Sequence, residues 1–176
     1  YELLALSGIR IALADYVSRS VYACSCTGDD NKAHQMRVEV RECGFEPIVI
    51  RERKQLKAQR AGALKQHGLM EKAKGCDIAL ATRMVADAAA ELYDHCLLFT
   101  SDADFLPAVE AVRRMGKIVW VFGYRAALPK RSEYLYVPDR FIDLGEFIKQ
   151  VWQNNSGEIG NALGQLGETG SDAPNA

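Results

Sequence analysis

Residues 96–105 read Cys96-Leu97-Leu98-Phe99-Thr100-Ser101-Asp102-Ala103-Asp104-Phe105. The run Cys96 to Thr100 is almost wholly apolar, with no polar residue at alternate positions. A strand of that kind belongs in a parallel sheet covered on both faces, because neither side meets water. Two carboxylates one residue apart follow where the strand ends. A helix over Phe105 to Met115 comes next, with Pro107 in its first turn and Gly116 after it. Asp104 is placed to cap that helix. Asp102 is harder to explain so simply, since a carboxylate at the mouth of an apolar strand is costly unless solvated, paired or bound to metal.

The same alternation continues outward. Downstream, Ile118 to Phe122 (IVWVF) reads as a second buried strand, and a loop with Pro129 and Pro138 leads to a closing segment, Phe141 to Trp152, helical over its second half. Upstream, Asp77 opens a helix to about Tyr93, in which Leu80, Ala81, Met84, Val85 and Ala88 recur at helical spacing. Further back, Phe45 to Arg51 is a strand whose Pro47 favours an edge or a strand start. Before it, Asp29 or Asp30 caps a helix running to about Cys43, with Gly44 as its left-handed stop. Ser20 to Ser25 is a short strand, and Ile9 to Val17 a modest helix. From Asn154 to Ala176 large apolar residues almost vanish, so this tail is expected to be disordered.

Strand–helix alternation with apolar strands implies an α/β domain with a mostly parallel sheet over residues 1–152, followed by the tail 153–176. In such sheets ligands sit outside the carboxyl ends of the strands. Helix starts and strand ends share that rim, so Asp77 and Asp102 can converge there. Alone, Asp77 is an ordinary helix cap. Hard divalent cations such as Mg²⁺ take oxygen ligands and are commonly held by one or two carboxylates plus substrate phosphate. A third acid is expected from another strand end.

The bulk numbers narrow the class. At 176 residues with 48% hydrophobic and 26% charged residues, the chain suits one soluble domain. No apolar run approaches the roughly 20 residues of a membrane helix, and no secretion signal opens the chain. Five cysteines (Cys24, Cys26, Cys43, Cys76 and Cys96) without a repeated spacing make a poor disulfide framework and suit a reducing, cytoplasmic setting. Cys24 and Cys26 share a strand face, but no second Cys/His pair completes a zinc set, and free cysteine usually behaves as a small buried hydrophobe. Net charge is −1, yet Arg51 to Lys74 holds eight basic residues against two acids. That stretch is a footprint for a polyanion, or else a solvated face.

Two elements resemble the NYN domain family of PIN-like proteins. Lys74-Gly75-Cys76-Asp77-Ile78-Ala79-Leu80-Ala81 is similar to its KGxDxxLA element, and Leu98 to Val109 to its LvSGDsDFxPal element. Tyr93-Asp94, Arg114 to Val119 and Phe141 to Leu144 fit the same template, so the likeness runs from about Cys24 to Phe147. The resemblance implies a three-layer α/β/α sandwich and Mg²⁺- or Mn²⁺-dependent cleavage of RNA. It implies Asp77 and Asp102 as metal-site acids and Asp104 as a neighbouring catalytic acid. Ser101, which stands where the family more often has Gly, and Arg53, Lys54 and Lys57 of the basic stretch are the candidates for substrate binding. A homo-oligomer is compatible with this picture.

Two departures matter. NYN domains begin with an apolar strand ending in an Asp-Gly-x-Asn-like turn, whose Asp is the first metal ligand. Nothing before Cys24 has that form, and Tyr1-Glu2-Leu3-Leu4 looks like the helix that follows it. Loss of that central strand would expose the edges of both its neighbours. Arg83 stands where the family usually has an acid. It lies about 240° around the helix from Asp77, and it is free either to pair with Asp87 one turn on or to contact phosphate. A catalytically degenerate domain that binds RNA or a protein is therefore the alternative to a ribonuclease. A haloacid-dehalogenase-type phosphotransferase is disfavoured, because its paired aspartates follow a first strand rather than a late one.

Overall fold

The computed structural model describes residues 2–52 and 75–153. Five strands and five α-helices alternate through them. The order is α1 (Glu2–Ala12), β1 (Val21–Thr27), α2 (Asp30–Glu42), β2 (Glu46–Glu52), α3 (Cys76–Ala89), β3 (His95–Phe99), α4 (Leu106–Arg114), β4 (Ile118–Gly123), β5 (Arg140–Asp143) and α5 (Leu144–Gln153).

Most sequence expectations survive with shifted ends. α1 starts at Glu2 and not Ile9, since Leu3 to Leu6 are good helix formers, and it stops at Ala12 and not Val17. α3 stops at Ala89, because Glu91 takes a positive φ of 58° and turns the chain. Asp29 caps α2, its carboxylate accepting from the Lys32 N–H at 3.0 Å. Gly44 turns the chain out of α2 at φ 84°, a region that costs an L-residue with a side chain. Pro47 lies in β2, which among the described residues pairs only with β1, so the missing N–H falls on an edge strand.

All strand pairs among the described residues are parallel, and they form two sheets. β1 pairs with β2, while β4 lies between β3 and β5. Side chains alternate across the larger sheet as the pleat requires. Leu98, Val119 and Val121 meet Met84 and Ala88 of α3 and Val109 and Val112 of α4. Leu97, Phe99, Trp120 and Phe122 turn the other way, toward Ile9 of α1, Leu13 just beyond it and Phe147 of α5. Phe122 stacks on Phe99 at 4.6 Å and meets Phe147 edge-on at 5.0 Å. The smaller sheet has a lesser core, in which Cys26, Ala33 and Val49 are buried with Cys24 and Met36 against them. The result is the expected α/β layering, helices on both faces of parallel strands. Among the described residues no helix is long and apolar enough to cross a membrane.

Between β1 and β3 the sheet is interrupted. An apolar channel of about 670 Å³ runs there, walled by Val21 to Ala23 on one side and His95 to Thr100 on the other.

Candidate carboxylate site at the strand ends

Because β3, β4 and β5 are parallel, their carboxyl ends share one rim, and the chain chemistry collects there. β3 leaves the sheet through a sequence of short local bonds. The Thr100 N–H donates to the Phe122 carbonyl at 2.9 Å, and the Thr100 hydroxyl oxygen accepts from the Asp102 N–H at 3.1 Å. The Asp102 carboxylate in turn accepts from the Asp104 N–H at 3.1 Å, opening a short 3-10 turn over Ala103–Phe105. Asp102 is half-buried and Asp104 exposed. Asp104 is therefore not the helix cap expected for it. Asp102 takes the capping position of the short turn, and Phe105 begins α4 with no side-chain cap.

Two residues that sequence reasoning passed over hold this turn. Tyr134, fully buried, donates its hydroxyl to the Asp102 carbonyl oxygen. Burial first, and then the charges of Asp102 and Asp104, push its pKa well above the ordinary phenol range, so it remains a donor. No local pattern announces Tyr134, which arrives from 32 residues downstream in a proline-bearing loop. Gly123, the last residue of β4, passes so close that a Cβ there would stand 2.5 Å from the Thr100 carbonyl oxygen and 3.0 Å from the Ser101 hydroxyl. The next N–H, that of Tyr124, donates to the Ser101 oxygen at 3.0 Å. Ser101, a substrate-binding candidate, thus also ties β3 to β4.

Asp143 supplies the carboxylate at the third strand end. One oxygen accepts from the Gly145 and Glu146 N–H groups at 2.8 and 3.3 Å, and the other from the Arg125 N–H at 3.2 Å. Its signal was present in Asp143-Leu144-Gly145-Glu146, an acid followed three residues on by Glu before an apolar run. The carboxylate is spent on capping α5 and fixing the loop after β4.

Asp77 is not a helix cap either. The capping residue of α3 is Gly75, without a side-chain bond, and Asp77 stands partly exposed in the first turn. There the positive end of the helix dipole favours its charge. Asp77 borders the same channel as Thr100 and Phe105, and α3 approaches the Ala103–Phe105 turn. The donors are oxygens, the type a hard cation takes. Among the described residues no three His, Cys, Asp or Glu side chains gather to hold a metal. The set fits an open site of one or two carboxylates completed by water and phosphate, and does not fit a closed protein cage.

Arg83 takes the first of its two alternatives. Its guanidinium bonds both Asp87 oxygens at 2.8 Å and reaches Glu46 at 3.1 Å, and Arg19 joins the same two acids at 2.6 to 3.0 Å. This group binds the entrances of β1 and β2 to α3, about two helical turns from Asp77.

The cysteines carry no sign of chemistry. Cys24 faces the apolar cluster with Cys26, and burial raises its pKa; burial pushes the Cys96 thiol up to about 12. Arg53, Lys54 and Lys57 lie outside the described residues, and their neighbour Arg51 pairs with Asp30.

Comparison with curated proteins and with solved structures returns no match for this chain. The family model described as NYN domain matches residues 8–149. That span takes in both carboxylate elements, the parallel strands and the start of the closing helix, and the chain belongs to the NYN domain family.

Proposed function

We propose that this chain is a metal-dependent ribonuclease domain hydrolysing RNA phosphodiester bonds at the carboxylate rim. The observation that carries the reading is that Asp77, which caps nothing, borders the channel end lined by Thr100 and Phe105, the residues that flank Asp102 and Asp104, and that its helix approaches the Ala103–Phe105 turn within an NYN domain. Asp77 and Asp102 would hold Mg²⁺ or Mn²⁺, which would supply an activated water and neutralise charge on the phosphate. The chain's own work is positional. Tyr134 and the Thr100 hydroxyl hold the Asp102 backbone, Gly123 lets β4 close against it, and Asp104 is exposed at the turn. Arg53, Lys54 and Lys57 would guide the RNA backbone, a contribution sensitive to salt.

The test is cleavage of a mixed-sequence RNA by the full chain with and without chelator, and by Asp102→Asn and Asp77→Asn. Each variant is expected to lose about 100-fold or more of the rate, the scale of losing one electrostatic stabiliser, with its circular dichroism unchanged. Cleavage that survives chelation, or an unaffected Asp102→Asn protein, would overturn the reading.

The second reading is a binding module that holds RNA without cutting. It is favoured by the lack of a three-acid group among the described residues. It predicts RNA binding that needs Lys54, Lys57 and Arg60 but no divalent ion. Arg83 lends it less support than the sequence suggested, because its charge is engaged by Asp87 and Glu46.

A further inference from the structure

We propose that the loop after β4 is a nucleic-acid contact site, in which Tyr124 stacks on an unpaired base and Arg125, Lys130 and Arg131 take backbone phosphates. Its place is the first observation. The Tyr124 N–H donates to the Ser101 hydroxyl oxygen at 3.0 Å, and the Arg125 N–H to the Asp143 carboxylate at 3.2 Å. Further along the loop, the Tyr134 hydroxyl bonds the Asp102 carbonyl. Both ends of the loop are therefore fixed on the rim that carries Asp102.

Between those anchors the chain is held by its own bonds. The Leu128 N–H donates to the Arg125 carbonyl at 3.2 Å, and the Ser132 N–H to the Pro129 carbonyl at 3.1 Å. Leu128 packs on the larger core, and Ser132 and Tyr134 are buried. A loop held in this way presents its outward side chains without first having to be ordered, which spares part of the entropy that binding otherwise costs.

Those outward side chains are Tyr124, 51% exposed, and Arg125, Lys130 and Arg131, all exposed. Among the described residues none of these three cations is paired with an acid, whereas Arg19, Arg83 and Arg113 are. Glu133 is the one acid between Tyr124 and Tyr134. Unpaired cations beside an acidic rim suit a polyanion, because the carboxylates repel phosphate and the loop supplies an attraction at a neighbouring position. A half-exposed ring among cations suits unpaired bases, each of which has a face to stack on, and not a duplex, whose bases are already stacked. An acidic peptide would use the cations and leave the ring idle. The ligand class rests on the RNA reading above, but the loop needs no metal, so binding and cleavage can fail separately.

The experiment titrates the full chain, in EDTA, into a fluorescein-labelled oligouridine of about ten nucleotides, followed by anisotropy. Tyr124→Ala is expected to bind about tenfold more weakly, the scale of one lost stack, and Tyr124→Phe within about twofold of the parent. Replacing Arg125, Lys130 and Arg131 together by Gln should lower the slope of log K against log salt by about two. A further comparison needs no variant: an abasic strand of the same length should bind the parent about as weakly as oligouridine binds Tyr124→Ala. Equal affinity for the base-bearing and abasic strands overturns the stacking role, an unchanged salt slope overturns the phosphate role, and either overturns the proposal. So does the absence of binding, or a polyglutamate peptide that binds as tightly as the oligouridine. Binding that meets every expectation while cleavage is absent upholds the site and overturns only the ribonuclease reading.

Discussion

At the scale of single residues the site depends on contacts with little room to give. Gly123→Ala would press a methyl group onto the Thr100 carbonyl, an immobile backbone atom. Overpacking of this kind costs about 1–3 kcal/mol, and here it falls on the turn that carries Asp102. The expected outcome is a lower midpoint in urea, together with a larger loss of RNA cleavage than the destabilisation alone explains. The thiols give a second residue-scale prediction. Since burial raises the pKa of Cys24 and Cys96, alkylation of both in the folded protein at pH 7.5 should be far slower than in urea. Mass spectrometry after timed iodoacetamide labelling checks it, and rapid native labelling of Cys96 would contradict the packing described.

Between elements, two charged clusters stitch strands to helices, and each has its own signature. Asp139 accepts from the Val119 N–H at 2.8 Å and pairs with Arg113, fastening the lead-in of β5 to β4 and α4. Burial pushes its pKa up, but the Arg113 and Val119 bonds outweigh that, and the net shift is downward. A depressed folded-state pKa gives stability that is present above the unfolded value, near 3.9, and is lost as pH falls through the folded value. Asp139→Asn should therefore lower stability by about 1–2 kcal/mol at pH 7, with the difference from the parent shrinking below pH 4. The Arg19–Glu46–Arg83–Asp87 group is more exposed and correspondingly weaker. Arg83→Met is expected to cost no more than about 1 kcal/mol and to leave RNA affinity within twofold. A larger fall in affinity, measured at fixed salt, would return Arg83 to the phosphate-contact role.

For the whole molecule, the distribution of apolar burial predicts uneven stability. The three-stranded sheet is sealed on both faces by two clusters that include Val109, Val112, Val119, Val121 and Phe122 at full burial. The two-stranded sheet rests on Cys26, Ala33 and Val49. Opening free energies follow such local density of apolar contact. Hydrogen exchange should show β3 and β4 amides protected longest and β1 and β2 amides exchanging well before them. Equal protection across both sheets would mean that the channel between them couples the halves more tightly than the packing implies.

Legibility follows the range of the forces involved. Apolar runs, helical stripes and caps act over a few residues, so the sequence by itself determined the parallel α/β class, the strands at 96–100 and 118–122, the Asp29 cap and the Gly44 stop. It also put Asp102 and Asp104 just past the end of β3, because a charge cannot follow an apolar strand into a core. Its errors were local ambiguities. Asp77 and Asp104 sit where caps sit, and only the backbone path showed that Gly75 and Phe105 hold those positions. What tertiary structure alone decided are contacts made across long stretches of chain: Tyr134 on the Asp102 carbonyl, Gly123 against Thr100, Arg83 drawn to Glu46, and the open channel between β1 and β3. No periodicity encodes these, since they arise where elements far apart in sequence are packed against one another and their polar groups must find partners.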